Sequence, residues 1–140
     1  VCELAKDFGA YRGKTIAVRG IYTYFSLRQA CEQQCSNGPW PSFVDLSGGD
    51  RVVWDELAAA EEKARELLLQ SNKHSEIWVT VTGRLHAADG DPCDWKRRAP
   101  PGYGHLNSYP AEIEVTSFSA IELVESQDSP FGYGSTSTNR

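Results

Sequence analysis

Two stretches of the chain alternate β-branched and polar residues and then meet a glycine: TIAVRGIY at Thr15–Tyr22 and WVTVTGRL at Trp78–Leu85. In the first, Ile16, Val18, Tyr22 and Tyr24 share one face and Ala17, Ile21 and Phe25 the other. This predicts a strand from Lys14 to Phe25 that is buried on both sides over part of its length. A second strand, Glu76–Ala87, sets Ile77, Val79, Val81 and Leu85 on one face and Trp78 on the other. A third, Ala111–Glu125, keeps Ile113, Val115, Ile121 and Leu123 in phase. Shorter apolar runs predict strands at SFVDL (42–46) and RVVW (51–54), separated by an SGGD turn. Between the short and long strands, Leu57, Ala60, Ala64, Leu67 and Leu68 recur at helical spacing. That pattern predicts a helix over Asp55–Gln70, with Asp55 as N-cap and Glu61 and Arg65 as an i,i+4 pair on the wet side. VCELAKDFGAYRGK, at the start, reads as a helical or turn-rich lead-in ending at Gly13.

The order is therefore long strand, two short strands, helix, long strand, long strand. That is the order of a mainly β, five-stranded Greek-key barrel of the OB type, with one helix between strands 3 and 4. In such a barrel the first strand pairs into both halves of the sheet and must bend. A mid-strand glycine permits the bend, because no Cβ opposes the backbone geometry, so Gly20 and Gly83 are expected as corner residues of neighbouring strands. Residues 26–41 and 88–110 are read as long loops. The barrel is expected over 1–125, and 126–140 as a tail, flexible or ordered by a partner, in which Phe131 and Tyr133 are residues that dock.

Composition narrows the chemistry. The 140 residues carry 14 Lys and Arg against 19 Asp and Glu, a formal charge of -5. This argues against phosphate-driven nucleic-acid binding. No apolar run approaches the roughly 20 residues that span a bilayer. Four cysteines, Cys2, Cys31, Cys35 and Cys93, match no paired C-x-x-C metal pattern. Structural disulfides in an exported protein, periplasmic or extracellular, are the preferred reading; reduced, packed cysteines are the alternative. Four cysteines allow three connectivities. The start at VCELA reads as that of a mature or trimmed chain, and Cys2 is not the first residue, so it does not read as a lipid-modified N-terminus.

Taken together, VCELAKDFGAYRGKTIAVRG and GYGHLNSYPAEIEV resemble phrases of a group of uncharacterised exported bacterial proteins. The matching positions are Cys2, Leu4, Tyr11, Gly13, Lys14 and 17–20, with a later cysteine at Cys31 or Cys35. In the second phrase the group carries a glycine where this chain has Asn107. The resemblance covers most of 2–124 in pieces and brings no activity with it. It implies export and a disulfide from Cys2 to the first long loop, favouring Cys2–Cys35 and leaving Cys31 for Cys93. Cys31–Cys35 with Cys2–Cys93 stays open.

Catalytic signatures are missing: there is no nucleophile elbow, no phosphate-cradling glycine loop and no dinucleotide fingerprint. A zinc site from His86, Cys93 and His105 lacks diagnostic spacing, and DGDPCD lacks the remaining ligands of a calcium loop. No enzyme, metal or cofactor is expected. His105 and Asn107 read as a structural clasp that bonds to the backbone. Trp54 and Trp78 read as packing residues. Trp40, Trp95, Arg97 and Tyr103, in the two long loops, are the candidate ligand or partner contacts. The expected role is a binding or assembly module making protein–protein contacts through those loops and the tail, with binding of a carbohydrate or small ligand through the loop aromatics as the alternative.

Overall fold

The computed structural model describes residues 1–28, 43–89, 102–104 and 109–126. Two short helices, α1 (Cys2–Lys6) and α2 (Phe8–Tyr11), precede strands β1 (Thr15–Thr23), β2 (Ser26–Arg28) and β3 (Phe43–Ser47). Helix α3 (Arg51–Ser71) follows, then β4 (Ser75–Ala87) and β5 (Ala111–Glu125). The strands close in the order β1-β2-β3-β5-β4. β3 and β5 run parallel, and the other seams, including β1 with β4, are antiparallel. With its helix between β3 and β4, this is the expected OB-type barrel.

Two short elements differ from expectation. RVVW is the first turn of α3, not a strand. Gly48 and Gly49 turn the chain at φ 70° and 74°. The Asp50 carboxylate, rather than that of Asp55, then accepts a hydrogen bond from the Val53 amide at 3.1 Å. Trp54 adds a second tie, its Nε1–H donating to the Gly48 carbonyl at 2.7 Å. This capping overrides the β propensity of Val52 and Val53. The true second strand is Ser26–Arg28, inside the segment expected as loop. It escapes pattern reading because it has three residues and is entered by a turn without glycine. Tyr24 and Phe25 occupy that turn at φ 44° and 59°, so the first strand stops at Thr23. Positive φ at both positions gives a two-residue hairpin the twist of its strands, a demand usually met by Asn-Gly. The turn is fastened by the Ser26 hydroxyl to the Thr23 carbonyl at 2.6 Å and by the Leu46 amide to the Phe25 carbonyl at 2.8 Å.

Inward alternation fills the barrel. Leu27, Val44, Val79, Val81, Leu85 and Ile113 are 0% exposed. α1 and α2 add Leu4 and Phe8 to this core, and α3 adds Leu57, backed by Val53, Trp54, Ala60 and Ala64. Arg65 pairs with Glu62 rather than with Glu61. Burial first, with a smaller contribution from nearby Glu61, pushes the Tyr22 phenol up to about 12, against a lowering by the Phe25 backbone.

The bend is concentrated in β5. Opposite β4 it carries one extra residue, Thr116, between the pairs Thr82–Ser117 and Gly83–Val115. A second irregularity sets Ala120 and Ile121 against Val79 alone. Ala120 adopts φ 48°. Each bulge reverses the inward phase, so Phe118 points to the core between Val115 and Ile121. Both are held by side chains: Thr116 Oγ1–H donates to the Thr82 carbonyl at 3.0 Å, and Arg19 Nη1 donates to the Ala120 carbonyl at 3.0 Å. The same guanidinium lies 5.8 Å from the Trp78 ring centre and pairs with Glu122.

The two glycines lie on adjacent strands, Gly20 opposite Val79 and Gly83 opposite Ile16. A Cβ on Gly83 would overlap the Glu114 carbonyl oxygen and sit 2.7 Å from Ile113 Cγ2. On Gly20 it would meet Val1 Cγ2 at 2.9 Å and the Arg28 carbonyl at 3.2 Å. The first obstacle is backbone; the nearest atom in the second is the end of a side chain. Gly83→Ala is therefore expected to cost about 3 kcal/mol or more and Gly20→Ala about 1–2 kcal/mol. Urea unfolding of the two variants checks this, and an inverted order refutes it.

Candidate functional site

Alternation along β3 and β5 turns Val44, Leu46, Ile113 and Val115 inward and leaves Asp45 and Glu112 on the outside. The parallel register then sets Asp45 directly beside Glu112. On the other flank of Asp45, its partner on β2 is Ser26, which is 2% exposed. Burial in this setting, then the neighbouring Glu112 carboxyl and its charge, push the Asp45 carboxyl up to about 7, against a smaller lowering by the Leu46 amide. Two carboxylates this close do not both ionise cheaply, and it is Asp45 that keeps its proton.

A short piece of the β4–β5 connection covers the pair. Tyr103 and Tyr109 exchange backbone hydrogen bonds at 2.9 and 3.0 Å. Gly104 follows at φ 65°. A Cβ there would collide with the Tyr109 ring and lie 2.8 Å from Asp45 Oδ1, so only glycine lets the backbone come this near. The Tyr103 phenol is pushed up by burial first, then by the Glu112 charge, with Arg12 opposing. Around the base, the Ala88 amide donates to the Pro110 carbonyl at 3.1 Å. Arg12 pairs with Asp89 and donates to the Ala88 carbonyl, and His86 Nε2 lies 3.0 Å from Glu114 Oε2.

Topology gathers the roots of both long connections here. β2 ends at Arg28 opposite the start of β3 at Phe43, and β4 ends at Ala87 opposite the start of β5 at Ala111. Since β3 and β5 are parallel, all four residues lie at one end of the barrel. The first long connection thus joins β2 to β3. The link from β1 to β2, which helps frame the usual ligand groove of this fold, is instead the Tyr24–Phe25 turn. That turn is its own feature. Tyr24 is 84% and Phe25 61% exposed, and Val52 on the first turn of α3 is 73% exposed. The Phe25 ring leans on Trp54 at 5.4 Å, and Trp54 meets Phe118 edge-on at 4.9 Å.

Of the four expected contact residues, only Tyr103 falls within the described residues, where it joins Asp45, Glu112 and Tyr109. Trp40, Trp95 and Arg97 lie outside them, as do His105, Asn107, Cys31, Cys35, Cys93 and the tail from 127. Cys2, on α1, is disulfide-bonded, and its partner lies outside the described residues. Among the described residues no three His, Cys, Asp or Glu side chains converge as a metal site. Asp45, Glu112 and Gly104 were not legible as a site in the sequence. The polar positions within FVDLS and AEIEV mark the outer face, but only the parallel register makes neighbours of the two carboxyls.

Neither the protein-family models nor the curated proteins and solved structures contain a match to this chain.

The carboxyl pair makes a pH signature. The folded state keeps the Asp45 proton up to about pH 7, whereas the unfolded chain releases it near the ordinary value of about 4. Between those limits the folded form binds more protons, so stability falls as pH rises through the window and levels off above it. After discounting for partial solvent screening, the loss from this group is about 1 kcal/mol. Asp45→Asn is expected to remove that part of the slope in urea titrations from about pH 4 to pH 8. A variant with the wild-type slope would contradict the assignment.

Proposed function

We propose that the chain is an exported, non-enzymatic OB-type module that binds or assembles with other proteins through exposed connections of the barrel. The observation that carries this reading is the β1–β2 turn. Two large aromatic side chains sit at its tip, 84% and 61% exposed, on backbone with positive φ. Asn-Gly would fit this turn with less strain, since a residue bearing Cβ costs about 1 kcal/mol there. Aromatic rings retained at such a position, in water, are suited to burial against a partner.

Further support comes from the roots of the long connections. The connections over 26–41 and 88–110 are rooted together, and the tail starts at Ser126, tied by its amide to the His74 carbonyl at 2.8 Å. Carboxylates of Asp45, Glu112, Glu114 and Asp89 around those roots suit a protein surface better than a phosphate backbone. Export rests on the disulfide at Cys2 together with the sequence resemblance, which pairs Cys2 with Cys35 and Cys31 with Cys93. Non-reducing peptide mapping of the native protein is expected to recover those two linkages, and four free thiols would overturn the export reading.

The turn is tested by replacing Tyr24 and Phe25 together with Asn and Gly. The double variant is expected to be as stable as wild type or up to about 1 kcal/mol more so, because relief of backbone strain offsets the lost Phe25–Trp54 contact. Photo-crosslinking in the producing cells, from a reactive residue at position 24 or 103, is expected to give a discrete protein adduct, either a second copy or another chain. No adduct from either position contradicts the reading.

A further inference from the structure

Four pieces of backbone converge on Asp45 and Glu112. β3 and β5 supply the two carboxyls, β2 flanks them with Ser26, and the 102–104 segment lies on Asp45 so closely that Gly104 has no room for a side chain. Among the described residues, the nearby cationic groups are already engaged. Arg28 faces Glu76 and the Thr23 hydroxyl, Arg12 faces Asp89, and His86 faces Glu114. Burial first and then the Glu112 charge raise the Tyr103 phenol, and the Tyr109 ring packs at Gly104. Among the described residues no cation pairs with either carboxyl, so a proton is what relieves their repulsion.

We propose that Asp45, Glu112 and the 102–104 segment form a proton-operated clasp, which keeps the root of the β4–β5 connection closed in acid and releases it once both carboxyls ionise. The strands bearing the two carboxyls are fixed by the β3–β5 pairing. Once both are ionised, the repulsion is relieved least expensively by letting water reach them. That requires the 102–104 segment to lift from Asp45, breaking the two hydrogen bonds between Tyr103 and Tyr109. Opening is coupled to release of one proton. It therefore becomes easier as pH rises from the ordinary carboxylate value toward neutrality, and is pH-independent above that. The elevated affinity of Asp45 for its proton agrees with this arrangement. The clasp stands independently of the protein-contact reading, since it governs the connection whatever that connection meets.

Amide hydrogen exchange on the full chain tests it, with rates corrected for their intrinsic pH dependence. Protection of the Tyr103 and Tyr109 amides is expected to fall roughly tenfold between about pH 4.5 and pH 7. The Val81 amide, on a central strand, is expected to lack that local fall. Asp45→Asn is expected to flatten the profile at Tyr103 and Tyr109, and Glu112→Gln provides a second variant if the first folds poorly. A wild-type profile without a fall, an equal fall at Val81, or an unchanged slope in both variants overturns the clasp.

Discussion

Closure of the barrel depends on β5 changing direction while staying hydrogen-bonded. One end of β5 must lie parallel to β3, and the rest must follow β4 along nearly its whole length. A flat ribbon of fifteen residues cannot serve both neighbours. The bulges at Thr116 and Ala120 provide the change of course, and Gly83 gives way where the β5 backbone presses closest. Arg19 secures the second bulge from two strands away, so β1, β4 and β5 are joined on the outer surface as well as through the core. Without these devices Phe118 would face water.

The long elements were legible in the sequence because a period sustained over many residues leaves little ambiguity. β5 matches its expected limits, β4 begins one residue earlier than expected, and α3 begins a full turn earlier and ends one residue later. The residues taken to be in phase along β5 do share a face, yet for a reason the pattern conceals: two single-residue insertions cancel, and Phe118 between them belongs to the opposite parity. β2 and the start of α3 were illegible for local reasons. Three residues carry no period, Tyr24–Phe25 lacks the composition of a tight turn, and Val52–Val53 reads as strand until the Asp50 cap is taken into account.

The candidate site shows a different limit. Loop aromatics drew attention to Tyr103 as part of the connection, but the carboxyls beneath it come from β3 and β5, far apart in the chain. A parallel seam joining Asp45 to Glu112 is a property of the closed topology, and no spacing rule announces it. Gly104 likewise reads as an ordinary turn residue until the carboxylate beneath it is seen. What the structure adds is a division of labour between the two ends of the barrel. One end gathers the roots of both long connections around paired acids, while the other displays aromatic rings on a tight turn. Both features lie outside the core that the alternating residues build.

Closure itself is the claim on which these arguments rest, and nuclear Overhauser contacts across the seams measure it most directly. The account predicts, in one monomeric sample, contacts joining β1 to β4 around Val18 and Val81 together with contacts joining β3 to β5 around Leu46 and Ile113. Finding the first set without the second would mean an open sheet, with Asp45 and Glu112 apart, and would contradict the account.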